Sequence, residues 1–211
     1  MSKQRIKTTP NLIETSPAHQ AAIASGKEYQ GSWQYNVADH FKDKSQDQIR
    51  QSLKETALPF AVLCENIISD FNMSSLFRNA NGFNAKEIFY LGDKRYDKRG
   101  AQGVYNYSKI TWLPTIDDLI KLKEQYVFIA IDNIAGSVPI FTYNWPANAL
   151  MVFGSEGVGI TPFMQGLCDV IVSIPMIGSV RSFNCASAGG MAMYDYVSKY
   201  ATQHLNKISS H

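Results

Sequence analysis

The chain has 211 residues, 45% of them hydrophobic, with 20 basic and 18 acidic side chains. That is enough apolar material for one full domain and an appendage. A net charge of +2 excludes a protein that wraps nucleic acid by phosphate neutralisation alone, so any nucleic-acid binding must come from local patches. No apolar run reaches the length of a membrane span, and Met1 to Arg5 is not followed by the apolar core of a secretion signal; a soluble, cytoplasmic protein is expected. Cys64, Cys168 and Cys185 are widely spaced in apolar surroundings and read as buried thiols in a reducing compartment, not as a disulfide framework.

Residues 1 to about 30 mix Ser, Thr, Gln, Ala and Lys without a sustained period and read as a flexible arm or irregular lead-in. Ser45-Gln46-Asp47-Gln48 has the form of a capping box, with Ile49, Leu53 and Leu58 at nearly helical spacing behind it, which predicts a short helix ending before Pro59. Residues 1–56 are therefore set apart as a flexible and helical N-terminal extension, and 57–211 as the main domain. Phe60 to Cys64 is a buried strand, Asn72 to Asn81 a helix, and Ile88 to Leu91 the next strand. Thr115 starts another helix, with Asp117 and Asp118 in its first turn, where acidic groups complement the helix dipole. Strands follow at Val127 to Ile131, Leu150 to Phe153 and Val170 to Ile174, and Thr161-Pro162 is an N-cap with proline at the first helical position. Continuous apolar strands between helices indicate an α/β fold with a mostly parallel sheet.

The last segment, Ser182 to about Lys207, is helical by length and by the spacing of Met191, Tyr194 and Val197, yet it carries Ala186-Ser187-Ala188-Gly189-Gly190. Two interior glycines cost a helix roughly 1 kcal/mol each relative to alanine, so something must approach that face closely. Packing on the chain's own sheet, a cofactor loop and a second subunit are all open.

Three loops stand out because each follows an apolar strand and is rich in Gly, Asn and Ser, the position where α/β folds place ligands. They are Asn66 to Gly82, Phe153 to Ile160 and Ile174 to Asn184. Singly each has a plain reading: a tight turn at the glycines, a solvated charge at Arg78, a helix cap at Asn184. The second is not a dinucleotide fingerprint, since Glu156 would set a carboxylate against the pyrophosphate.

Together, in order and spacing, the three loops resemble the motifs of the SpoU (TrmH-like) RNA 2'-O-ribose methyltransferase family of the SPOUT superfamily. The first motif is matched by Asn72, Ser74 and Arg78, the second by Gly154, Glu156 and Gly159, and the third by Ile174, Pro175, Met176, Gly178, Ser182 and Asn184. The resemblance covers roughly Pro59 to Tyr200 and departs at Ser74, Phe183 and Ala186, where Gly, Leu and Ser are usual. It implies a SPOUT methyltransferase domain over 57–211 with a C-terminal deep trefoil knot. It also implies a homodimer whose site is completed by the partner's first motif, and methylation of RNA, with transfer RNA placed ahead of ribosomal RNA. S-adenosyl-L-methionine is expected at Ile131, Phe153, Gly154, Glu156, Gly157, Ile174, Met176, Ser182, Phe183 and Asn184, and catalysis at Arg78, Asn72, Glu156, Ser182 and Asn184. A guanidinium holds its proton across the physiological range, so Arg78 reads as a cation for the adjacent phosphate and the developing alkoxide rather than as a base.

His19, His40, His204 and His211 lie outside all three motifs and no Cys/His cluster has ligand spacing, so neither a metal site nor a membrane role is expected. The alternatives are a knotted RNA-binding module without turnover and an enzyme that takes an adenine nucleotide in its glycine-rich loop. Lys94-Arg95-Tyr96-Asp97-Lys98-Arg99 gathers four basic groups around an aromatic ring and reads either as a phosphate contact or as a solvated turn.

Overall fold

The computed structural model describes residues 37–65, 70–96 and 98–201. The arm expected at 1–30 and the end of the last helix, to Lys207, lie outside the described residues.

Ser45 caps the first helix, α1 (Gln46–Thr56), by the predicted box: its hydroxyl accepts from Gln48 N at 3.3 Å, and Gln48 Oε1 accepts from Ser45 N at 2.8 Å. This helix is packed on the sheet domain. Ile49 is buried, Arg50 Nε donates to Asn106 O, and Asn84 Nδ2 donates to Leu53 O. The compact unit containing the sheet runs from Asp39 onward, so the boundary drawn after residue 56 falls inside it.

Strands β1 (Leu58–Cys64), β2 (Ala85–Tyr90), β3 (Ile110–Trp112), β4 (Val127–Ile131), β5 (Val138–Pro139), β6 (Ala149–Phe153) and β7 (Val170–Ser173) form one sheet in the order β3-β2-β1-β6-β4-β7-β5. Every pairing is parallel. The strand β1 starts one residue before Pro59, and its register against β2 slips between Leu58 and Ala61, consistent with a residue that has no N–H to give the ladder.

Alternation along β1 divides the core. Phe60, Val62 and Cys64 face a cluster containing Leu76, Phe77 and Ala80 of α2 (Asp70–Gly82) and Met193 and Tyr196 of α5 (Cys185–Tyr196). Ala61 and Leu63 face the other side, with Leu119 of α3 (Ile116–Lys121) and Met164 of α4 (Pro162–Leu167). Both sheet faces are covered, which is why β4 and β6 read as unbroken apolar runs.

The small residues of α5 meet α2 of the same chain. A Cβ on Gly189 would lie 2.1 Å from Leu76 Cδ2, and Asn79 Nδ2 donates to Ala186 O at 2.9 Å. Of the three readings open for this run, intramolecular packing accounts for it, though against a helix and not the sheet. The helix also starts at Cys185 rather than Ser182, because Asn184 has non-helical backbone (ψ 140°) and caps it. Strands β3 and β5, of three and two residues, were not expected; each is too short to show a period.

Candidate active site

The carboxyl ends of β4, β6 and β7 lie side by side, and the loops leaving them converge. After β6 the chain folds back on itself so tightly that a Cβ on Gly154 would lie 2.1 Å from the Gly159 carbonyl carbon. Gly159 closes the turn at φ 73°, donating to Ser155 O at 2.9 Å. Glu156 is exposed in the turn between them.

Two carboxylates fix where this turn ends. Asp132, one residue past β4, accepts from Ile160 N at 3.0 Å, and Glu65, one residue past β1, accepts from Thr161 N at 3.0 Å and from the Thr161 hydroxyl. Thr161 in turn caps α4 by accepting from Met164 N. Glu65 is 4% exposed, so these donors satisfy its side-chain oxygens in place of water. Asn133 ties the third loop to the same place: its Oδ1 accepts from Ile174 N at 2.9 Å.

Asn184 joins all three motifs. Its Oδ1 accepts from Ala186 N and Ser187 N at the start of α5, which turns Nδ2 toward Asn72 Oδ1 at 2.8 Å and Glu156 Oε1 at 2.6 Å. A carboxamide suits this position because it accepts at one end and donates twice at the other.

These loops enclose a cavity of about 670 Å³, within the range of cofactor sites. Of the residues expected at the cofactor, Ile131, Phe153, Gly154, Glu156, Gly157, Ile174, Ser182, Phe183 and Asn184 line it; Met176 does not. Among the described residues Asn72 reaches the cavity only through Asn184, and Arg78 is exposed and outside the lining. Six residues apart on a helix, Asn72 and Arg78 point about 120° away from each other, so α2 does not aim them at one spot. The sequence reading missed Asp132, Asn133, Arg181 and Cys185, all of which line the cavity, and Glu65, which anchors its glycine turn. A carboxylate or carboxamide directly after an apolar strand was the signal for Glu65, Asp132 and Asn133. Burial, followed by the charges of Glu156 and Asp132, pushes the Cys185 thiol up to about 12.

The lining fits S-adenosyl-L-methionine better than a dinucleotide. Ile131, Phe153, Ile174 and Phe183 supply apolar surface, Glu156 and Asp132 favour a cation over a pyrophosphate, and Arg181 is the one cation among the lining residues.

Residues 59–194 match the SpoU rRNA Methylase family. The chain belongs to this family. SpoU proteins form a branch of the SPOUT superfamily of S-adenosylmethionine-dependent RNA methyltransferases. Among curated relatives, the 23S rRNA (guanosine-2'-O-)-methyltransferase RlmB of Neisseria meningitidis serogroup B is 27% identical over 180 residues, 82% of this chain and 70% of the relative. Among solved structures, the SpoU methyltransferase AviRb from Streptomyces viridochromogenes, in complex with AdoMet, aligns with a TM-score of 0.62 at 25% identity, covering 69% of this chain and 60% of AviRb. The A. aeolicus TrmH/SpoU tRNA modifying enzyme shares the fold, with a TM-score of 0.67 at 19% identity over 75% of this chain and 84% of its own. This SpoU chain thus spans about 60% of the length of AviRb.

Proposed function

We propose that this SpoU protein transfers a methyl group from S-adenosyl-L-methionine to a ribose 2'-hydroxyl of RNA. The observation that carries the reading is Asn184, which ties the first, second and third motifs together at the wall of one cavity. The cofactor, when bound, would supply an electrophilic methyl group and leave as the neutral thioether S-adenosylhomocysteine, while the ribose hydroxyl gives up its proton to water or a phosphate. The chain aligns and polarises: Glu65, Asp132 and Asn133 hold the loop ends, and Glu156 sets negative charge at the cavity. Arg78 remains a cation and stabilises the alkoxide that develops at the ribose.

Arg78 lies outside this chain's cavity, and a second copy that brings its own Arg78 to the cavity satisfies the chemistry. A homodimer is therefore part of the proposal. Exposed Phe71 on α2 and Met191 and Tyr194 on α5 offer it apolar surface. Gly189, explained by Leu76 of the same chain, no longer argues for it.

The trefoil knot is likewise proposed. It is supported by the hydrogen bonds of the C-terminal stretch to earlier connections: Ile174 N to Asn133, Cys185 Sγ to Gly154 O, and Tyr196 OH to Ala147 O. As substrate, ribosomal RNA moves ahead of the transfer RNA expected from the sequence, because RlmB relatives are named for 23S rRNA.

Mapping of 2'-O-methylation in total RNA, with and without the gene and after incubation of unmodified RNA with protein and cofactor, tests the reading. A single gene-dependent 2'-O-methyl site in ribosomal RNA is expected. Cofactor binding with no methyl transfer to any cellular RNA would instead make the chain a knotted RNA-binding module.

A further inference from the structure

The basic segment that follows β2 is built into the domain rather than left as a solvated turn. Tyr90 OH donates to Lys94 O at 3.0 Å, and Trp112 Nε1 donates to Gly92 O at 3.1 Å. The Tyr96 ring meets Phe77 edge-on at 5.1 Å and Tyr90 at 5.4 Å. On the far side of the segment, Gly100 sits so close to α2 that a Cβ there would lie 2.2 Å from Ser74 Oγ and 3.2 Å from Phe71 O. Ser74 is completely buried, and Arg78 follows it four residues later, one helical turn along the same face. The segment is thus pinned against the helix that carries Arg78.

What this scaffold presents is charge. Lys94, Arg95, Lys98 and Arg99 are all exposed, and none of Lys94, Arg95 and Lys98 forms an ion pair among the described residues. Lys94 Nζ lies 5.1 Å over the Trp112 ring and Lys98 Nζ lies 4.9 Å over Tyr105, itself 41% exposed. Cations set on aromatic faces stay at the surface in a defined place, and an exposed ring beside a cation is the usual platform for a nucleotide. Asp93 and Asp97 bring acidic charge to the same stretch, leaving it net basic in a chain that is otherwise nearly balanced.

We propose that Lys94, Arg95, Lys98 and Arg99 bind the phosphodiester backbone of the substrate RNA and deliver the strand to Arg78, one turn of α2 away. This rests on the methyltransferase reading only for the identity of the reaction; the surface itself is argued from its geometry.

The test compares the wild type with a variant carrying Lys94→Ala, Arg95→Ala, Lys98→Ala and Arg99→Ala. Binding of unmodified 23S rRNA fragments and of transfer RNA transcripts is followed across salt concentration, with cofactor affinity and steady-state kinetics on the same samples. Removing one cation from a phosphate should lower the slope of log K against log salt by about 0.7 to 0.9, so a drop of roughly 3 to 3.5 is expected for the four together. The RNA KM should rise by about tenfold or more, with the loss falling on KM rather than kcat and cofactor affinity unchanged. An unchanged salt slope in a folded variant overturns the proposal, as does competition by polyglutamate as strong as that by RNA of equal charge, which would mark a surface for acidic protein. Should the quadruple variant fold poorly, Lys94→Glu and Lys98→Glu singly give the same readout, each reducing the slope if the proposal holds and leaving it intact if not. A reduced slope for a protein that methylates no RNA would keep this surface and discard the proposed reaction. A normal slope for a variant of an active enzyme would do the reverse.

Discussion

Asn184 Nδ2 donates to Glu156 Oε1 at 2.6 Å, joining two loops 28 residues apart in the chain. Asn184→Asp would place a second carboxylate against Glu156 while still capping α5. Loss of a hydrogen bond to a charged group is worth about 1.5–3 kcal/mol, so cofactor affinity measured by calorimetry should fall by roughly 10- to 100-fold. Native affinity in this variant would mean that the link does not shape the cavity.

Arg78 is the residue on which the proposed chemistry turns. Arg78→Ala should reduce single-turnover methyl transfer about 100- to 1,000-fold with cofactor affinity nearly intact, since the side chain is outside the cavity lining. Lysine keeps the charge without the planar fork and should restore part of the rate. A near-native rate for Arg78→Ala would shift the role to Ser182 or Asn184.

The Glu65 side chain meets the cavity's glycine turn through Thr161, which makes it a candidate positioning residue. Glu65→Gln keeps the size of the side chain but turns one acceptor into a donor that faces the Thr161 N–H or hydroxyl. Cofactor affinity should fall about tenfold, by the same hydrogen-bond estimate, with the midpoint of urea unfolding also lowered. If the midpoint falls while cofactor affinity holds, Glu65 serves the fold alone.

Gly189 and Gly190 are neighbours with opposite expectations. Gly189→Ala would drive a methyl group into Leu76 in a closed core and should destabilise by about 1–3 kcal/mol, less the roughly 1 kcal/mol gained in helix propensity. At Gly190 the nearest atom to a new Cβ is Asn79 Nδ2 at 3.4 Å, so Gly190→Ala should be neutral or stabilising by up to about 1 kcal/mol. Urea denaturation of the two variants decides it; equal effects would contradict the packing described for α5.

All three thiols are held protonated by burial. Cys168 and Cys185 are each pushed up to about 12, and Cys64 is raised well above its usual range. At pH 8 the thiolate fraction of Cys185 should be roughly a thousandfold below that of a free cysteine, and alkylation by iodoacetamide should be correspondingly slow, rising with pH without a plateau below about 10. Rapid labelling of Cys185 in the folded protein at pH 8 would show that the start of α5 opens to solvent.

The elements legible in the sequence were those with local chemistry: the Ser45 capping box, the Thr115 and Thr161 caps and the uninterrupted apolar strands all formed as read. The three motif loops were legible by order and spacing, and nine of the ten residues expected at the cofactor line one cavity. What the chain did not reveal depends on partners distant in sequence. Asp132 is recognisable only once it faces Ile160, Glu65 once it faces Thr161, and Gly189 of α5 once Leu76 is packed beside it. Asn72 and Arg78 shared a motif and a helix, but helical geometry sends one inward to Asn184 and leaves the other at the surface.

The contact between Asn72 and Asn184 spans 112 residues. A ribosome adding about 5–20 residues per second needs roughly 6 to 20 s to travel between them. For that interval the growing chain already contains its first motif and can begin to pair its early strands, yet it lacks the side chain that draws the cavity together. If the cavity holds the methyl donor as proposed, affinity for it is acquired late in biosynthesis, and a nascent or prematurely terminated product ending before Asn184 should not compete for the cellular cofactor pool.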